Sequence, residues 1–216
     1  MEIKHIAGRG YDSNIYLVIG EKTTIVDCGT GLNHKKIEDE IKKHVGPREI
    51  QQILLTHEHF DHVGGVEKIK NLADEEVEIM AHSAACEKIE KGESIFAGLI
   101  GGEMPAVNVD VKLEDEDKIK IGDKEFQVVF TPGHTSGCIC IYNPEMKVLF
   151  SGDTVFAYGS FGRTDLPGGS TKKLKESIER LEKLDVEKLY PGHENIVEED
   201  ANKHISRSLK NISRML

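Results

Sequence analysis

Five histidines and two aspartates in this 216-residue chain have the types and the spacing to hold metal. His57, His59, Asp61 and His62 fall within six residues in the run THEHFDH; His134 follows in TPGHTSG, Asp153 in LFSGDT and His193 in LYPGHE. Imidazole and carboxylate are groups that bind Zn²⁺, Fe²⁺ or Mn²⁺, and such an ion turns water into a nucleophile at neutral pH. Three histidines and an aspartate crowded this closely gain little from packing together and compete for solvation. A cation that organises them accounts for the spacing. His5, His34, His44, His82 and His204 stand alone and read as ordinary surface or hydrogen-bonded residues.

Rigid elements must bring these segments together. THEHFDH, TPGHTSG, SGD and PGHE each follow directly on a short apolar run (ILL, VVF, VLF and KLY), so four strands are expected to deliver ligands from their C-terminal ends. A sandwich whose strands end at one rim would gather the loops. Asn14–Ile19 and Thr23–Val26 read as a hairpin turned by Gly20-Glu21-Lys22. Asn33 to Val45 carries Ile37, Ile41 and Val45 at helical spacing, with Gly46-Pro47 as its stop. Ile50–Leu55 and Val77–Ala81 read as strands, Val63–Leu72 and Ser83–Glu90 as helices. Residues 91–108 are glycine-rich without a period and are expected to form a loop or lid. Beyond them, strands at Lys124–Phe130, Cys138–Tyr142, Lys147–Phe150 and Lys188–Tyr190 alternate with helices at Ser170–Leu184 and Glu198–Leu216. No linker divides the chain, and residues 1–216 are expected to form a single domain.

Apolar residues at 38% and charged residues at 31% suit a globular protein long enough to bury a large core. The net charge of −10, with no basic block, argues against a nucleic-acid partner. No run approaches a membrane span, and the N-terminus lacks the apolar stretch of a signal peptide, so the expected compartment is the cytoplasm, without a membrane partner. Cys28, Cys86, Cys138 and Cys140 have no zinc-ribbon spacing. Cys138 and Cys140 share one face of a strand and cannot readily bridge each other, so all four read as small buried apolar groups. The sequence admits a homo-oligomer without specifying one.

The run THEHFDH has the form H-x-H-x-D-H, and with TPGHTSG, SGDT and PGHE in order it resembles the metallo-β-lactamase-fold hydrolase superfamily over roughly residues 14 to 195. That resemblance implies an α/β (α+β) protein built as a four-layer αββα sandwich. It implies His57, His59 and His134 on one metal ion, Asp61, His62 and His193 on a second, and Asp153 bridging both. Asp27, in IVDCG, matches a family aspartate that supports the site from behind the ligands, orienting one of them or their loop. GHTSGCICIY and GRTDLPGGS resemble the glyoxalase II-like, or hydroxyacylglutathione hydrolase-like, branch; GRTD is shared with the persulfide dioxygenases.

The implied activity is hydrolysis of a small-molecule thioester or related ester by a metal-bridging hydroxide, with two divalent ions as cofactors. Zinc is the first expectation, and iron or manganese fits the same donors. Asp153 and Asp61 are the implied catalytic carboxylates, one fixing the metal separation and the other ligating and orienting the nucleophile. Arg163 either anchors an anionic substrate group or pairs with Asp165, and Tyr158 is expected to line the pocket. The short stretch after His193 is not expected to hold the helical domain through which long glyoxalase II enzymes recognise much of glutathione. Three other readings stand beside this one. They are a mononuclear iron persulfide dioxygenase using His57, His134 and Asp153, a lactonase or other ester hydrolase on the same site, and a metal-binding scaffold without turnover.

Overall fold

The β-branched and aromatic runs of the chain become two sheets, one of six strands and one of five among the described residues. The computed structural model describes residues 1–73 and 76–216. They fall into two units: Met1–Leu113 with Lys120–Lys124, and Glu114–Ile119 with Glu125–Leu216. Among them, no helix is long and apolar enough to cross a membrane.

In the first unit, strands β1 (Glu2–Ile6), β2 (Ile15–Ile19), β3 (Thr23–Val26), β4 (Ile50–Leu54), β5 (Glu78–His82) and β6 (Val111–Leu113) lie side by side in chain order. The hairpin half is antiparallel and β3 to β6 run parallel. Parallel neighbours need crossovers, and these carry α1 (His34–Ile41), α2 (Phe60–Val63), α3 (Val66–Ala73), α4 (Ser83–Lys91) and α5 (Ile95–Leu99). Ile25, Ile53 and Ile79 of the central strands share a core with Ile37 and Ile41 of α1, Ile69 of α3 and Ile89 of α4. Each such aliphatic side chain contributes about 1.5–3 kcal/mol when fully buried.

The five-stranded sheet, which is the second unit's apart from the last two residues of β7 and the first of β8, has the order β11-β10-β9-β8-β7, formed by β7 (Lys118–Ile121), β8 (Lys124–Phe130), β9 (Ile139–Asn143), β10 (Val148–Gly152) and β11 (Lys188–Pro191). β8, β9 and β10 pair antiparallel, whereas β10 and β11 are parallel, joined through α6 (Thr171–Leu181). Leu174, Ile178 and Leu181 of α6 pack with Val129, Cys140 and Leu149 of the strands and with Ile205 and Ile212 of α7 (Ala201–Ile212). The Ser170 hydroxyl caps α6 by accepting from the Lys173 amide.

Several elements differ from expectation. β1, β6 and β7 do not follow from the sequence pattern, being short and half exposed. The helix expected over Val63–Leu72 is α3, which starts only at Val66; a separate short helix, α2, ends at Val63, before Gly64-Gly65. A Cβ on Gly65 would lie 2.0 Å from the Cys28 carbonyl oxygen, so the break admits a neighbouring backbone. Residues 91–108 are not all loop: Ser94 accepts from the Ala97 amide and starts α5. All four cysteines are buried and none forms a disulfide. Burial pushes the Cys140 thiol up to about 11.

Candidate metal centre

In the first unit β3 and β4 are parallel neighbours, so Asp27 and the 56–62 loop leave the sheet side by side. Asp27 takes a left-handed φ of 59° and is buried. One carboxylate oxygen accepts the Thr56 amide at 2.9 Å; the other accepts the Thr56 hydroxyl at 2.8 Å and His62 Nδ1–H at 2.7 Å. An ionised carboxylate only accepts, so the His62 proton sits on Nδ1 and the Nε2 lone pair is left for a cation. The Thr56 hydroxyl donates its one hydrogen bond to Asp27, so its oxygen accepts from His57 Nδ1–H at 3.1 Å. The same tautomer follows for His57. One carboxylate thus sets the protonation of two imidazoles.

The donor groups are crowded. The His57 ring lies 4.1 Å from that of His62 and 4.9 Å from that of His59, centroid to centroid. The Nε2 of His62 is 3.8 Å from an Asp61 oxygen. Ligand-capable atoms of His57 and His59, of His57 and His62, and of Asp61 and His62 come within 4.8 Å of each other. His57 and His62 are buried; His59 and Asp61 are half-buried.

The second unit holds the remaining donors. β8 leads into His134, β10 into Asp153 and β11 into His193. The β10–β11 register shifts between Phe150 and Gly152, and this bulge with Gly152 at φ 47° aims the residue that follows. One oxygen of Asp153 lies 3.4 Å from His134 Nε2 and 3.6 Å from His193 Nε2. His134 donates its Nδ1–H to the Arg163 carbonyl at 2.7 Å, again leaving Nε2 as the lone-pair nitrogen. Gly162 permits that approach: a Cβ there would lie 2.1 Å from the Asp153 carbonyl oxygen and 2.9 Å from His134 Nδ1.

This donor set passes a chemical test for divalent metal. His57, His62 and His134 each turn Nδ1–H to a protein acceptor and keep Nε2 for a ligand, the arrangement that orients metal-binding imidazoles. With carboxylate oxygens beside them, the mixed N/O set suits zinc, iron or manganese.

The other candidates have defined places. The Arg163 side chain is exposed and forks onto Asp165, Nε at 2.8 Å and Nη2 at 2.7 Å, holding the Asp165 carboxyl down at about 2. Tyr158 is 66% exposed, its ring 5.4 Å from that of His204. His5 bonds Asn14, and His82 caps α4 by accepting the Ala84 amide. Sequence reasoning passed over Thr56 and Gly162, although both adjoin motif residues. It also passed over Glu58, buried inside THEHFDH and paired with Lys88 at 2.8 Å.

Comparison with known proteins agrees with this picture. The family model described as "Metallo-beta-lactamase superfamily" matches residues 8–193. A Methanocaldococcus jannaschii protein named "Probable metallo-hydrolase" is 34% identical over 90% of this chain and 93% of its own. The acyl-coenzyme A thioesterase MBLAC2 of Homo sapiens is 30% identical over 86% of this chain and 74% of its own. A hydroxyacylglutathione hydrolase of Ectopseudomonas mendocina is 34% identical over 76% of this chain but 58% of its own length. Among solved structures, the BLEG-1 B3 metallo-beta-lactamase matches with TM-score 0.77 at 27% identity over 97% of both chains. TTHA1623 in a di-iron-bound form matches with TM-score 0.74 at 31% identity, over 90% of this chain and 93% of the other. By sequence and by fold, the chain belongs to the metallo-β-lactamase superfamily.

Proposed function

We propose that the chain is a metal-dependent thioesterase of the glyoxalase II-like kind, acting in the cytoplasm on a small-molecule thioester or related ester. The observation that carries this reading is Asp153, one oxygen of which lies within 3.6 Å of the Nε2 atoms of both His134 and His193. The resemblance assigns these imidazoles to different ions, and a carboxylate within reach of both would be available to both. His57, His59 and His134 would hold one ion, and Asp61, His62 and His193 the other. Zinc is the expected ion, and iron or manganese suits the same donors.

Such a pair, when bound, supplies a hydroxide from water whose pKa falls to about 7 and polarises the substrate carbonyl. The chain's own groups do the rest. Asp27 and Thr56 present the His57 and His62 lone pairs in advance, so loading needs no change of tautomer. Asp153 fixes the spacing of the two ligand sets. Asp61, half-buried beside His62, accepts a hydrogen bond from the attacking water and orients it. Arg163, exposed on its Asp165 partner, meets an anionic group of the substrate. The similarity to an acyl-coenzyme A thioesterase and to a hydroxyacylglutathione hydrolase supports a thioester carbonyl as the target.

The test is hydrolysis of acyl-coenzyme A and S-lactoylglutathione by zinc-loaded and iron-loaded protein, with bound metal counted per chain. His59→Ala and Asp153→Ala are each expected to abolish hydrolysis and lower bound metal. Full activity in either variant would overturn the assignment. Oxygen uptake on glutathione persulfide, in place of hydrolysis, would replace the thioesterase by an iron dioxygenase.

A further inference from the structure

We propose that α7 is a positioning element for the metal centre: His204, Ser208 and Asn211 pin the 158–160 turn, and through it the Gly162–Arg163 backbone that orients His134. The inference rests on the reading of His134 as a metal ligand.

These three residues fall on one face of the helix, four and then three positions apart. The Tyr158 amide donates to His204 Nδ1 at 2.8 Å, Asn211 Nδ2 donates to the Gly159 carbonyl at 2.9 Å, and the Ser208 hydroxyl donates to the Ser160 carbonyl at 2.8 Å. Three consecutive residues of the turn are therefore each held by one side chain of the stripe. The turn needs holding. Tyr158 sits at φ 59°, ψ 13°, a left-handed conformation that a bulky residue keeps only where its surroundings over-determine it. Gly159, at φ 91°, lets the helix press close, since a Cβ there would lie 2.8 Å from the Arg207 Cβ.

From this turn the chain runs directly into the site. The Gly162 amide donates to the Asp153 carbonyl at 3.1 Å, and the next carbonyl, that of Arg163, takes the His134 Nδ1–H. A shift of the turn is passed to that carbonyl within three residues. Packing alone does not require the stripe, because Ile205 and Ile212 already seat the helix in the core. Ser208 is fully buried, and although its hydroxyl also reaches the His204 carbonyl of its own helix at 3.2 Å, the Ser160 carbonyl at 2.8 Å is the nearer acceptor for its one proton. The stripe also accounts for Tyr158, whose contact runs to His204.

The experiment uses the full chain with His204→Ala, Ser208→Ala and Asn211→Ala combined, leaving Ile205 and Ile212 in place, and Lys210→Ala as control. Zinc affinity is measured by competition with a chromophoric chelator, and ligand geometry by the electronic spectrum of the cobalt(II)-loaded protein. The triple variant is expected to bind zinc about 10-fold more weakly, with an altered cobalt spectrum, as loss of a ligand's supporting contacts does. His204→Asn, which places an amide oxygen where Nδ1 stood, is expected to stay close to wild type, whereas His204→Ala weakens binding. Should the triple variant fail to fold, that single-site contrast decides the question. Native affinity and an unchanged spectrum in the variants, with the wild type fully loaded, would overturn the positioning role alone. A wild-type chain that takes up no metal would overturn the ligand reading, and this inference with it.

Discussion

Replacing Asp27 by asparagine changes no atom's position by design, yet it should damage both ligand sets. The carboxylate faces three donors: the Thr56 amide, the Thr56 hydroxyl and His62 Nδ1–H. An amide has one accepting end. If its oxygen faces the Thr56 amide, its NH₂ meets His62 Nδ1–H head-on. If it is turned over, the NH₂ meets the Thr56 amide instead. A buried donor left without an acceptor costs about 1–3 kcal/mol, and the fold should lose stability on that scale. The protein's cheapest escape is to move the His62 proton to Nε2, which removes the lone pair a metal needs. The Thr56 hydroxyl then turns towards His57, and the relay reverses there too. The expected result is 10–100-fold weaker metal binding, about 1.4–2.7 kcal/mol, felt most by the ion on His62. Chelator competition read at two stoichiometric steps measures this, with Thr56→Val as the companion that disturbs only the His57 arm. Native affinity at both steps in Asp27→Asn would refute the tautomer argument.

Three further expectations test other parts of the structure. Gly162→Ala forces a methyl to within 2.1 Å of the Asp153 carbonyl oxygen, and should cost about 1–3 kcal/mol in urea unfolding as well as metal content. Arg163→Ala should raise KM for anionic substrates with the melting temperature and metal content unchanged, since His134 is held by that residue's main-chain carbonyl and not by its side chain; unaltered kinetics would remove the side chain from substrate binding. Burial first, then the Arg207 charge, with Lys203 adding and Asp200 opposing, holds His204 below its ordinary value. The unfolded chain therefore takes up this proton first. The resulting contribution is full above about pH 6.5 and is lost as pH falls towards the lowered folded value. Unfolding midpoints followed from neutral to mildly acid buffer should fall less steeply in His204→Asn.

Elements built on a strong local pattern could be read in advance. The stripe of Leu174, Ile178 and Leu181 announces α6, and the apolar runs ahead of each ligand motif announce β4, β8, β10 and β11. β6 depends on a neighbour rather than on its own residues: Val111–Leu113 is a strand because β5 offers it a ladder. The break between α2 and α3 is local in its glycines but distant in its cause, the 28–30 backbone that passes there. The ligand residues themselves were legible because chemistry constrains their types. Their support was not. Thr56 is an ordinary threonine until folding sets Asp27 beside it, and the Arg163 contribution comes through a carbonyl that every residue type possesses. For Tyr158, nothing local announces that its partner lies 46 positions away.

The irregularity in β10 carries a consequence for how this scaffold tolerates genetic change. One surplus residue between Phe150 and Gly152 decides on which side of the strand the next carboxylate emerges. Removing a codon there, or adding one, would swing that group to the opposite side while leaving the carboxylate itself intact. A library of one-codon insertions and deletions should therefore be barren across Val148–Asp153. The turn around Gly98 and Gly101 is open, with nothing within 4 Å of a Cβ at either position, and there changes in length should be absorbed far more readily.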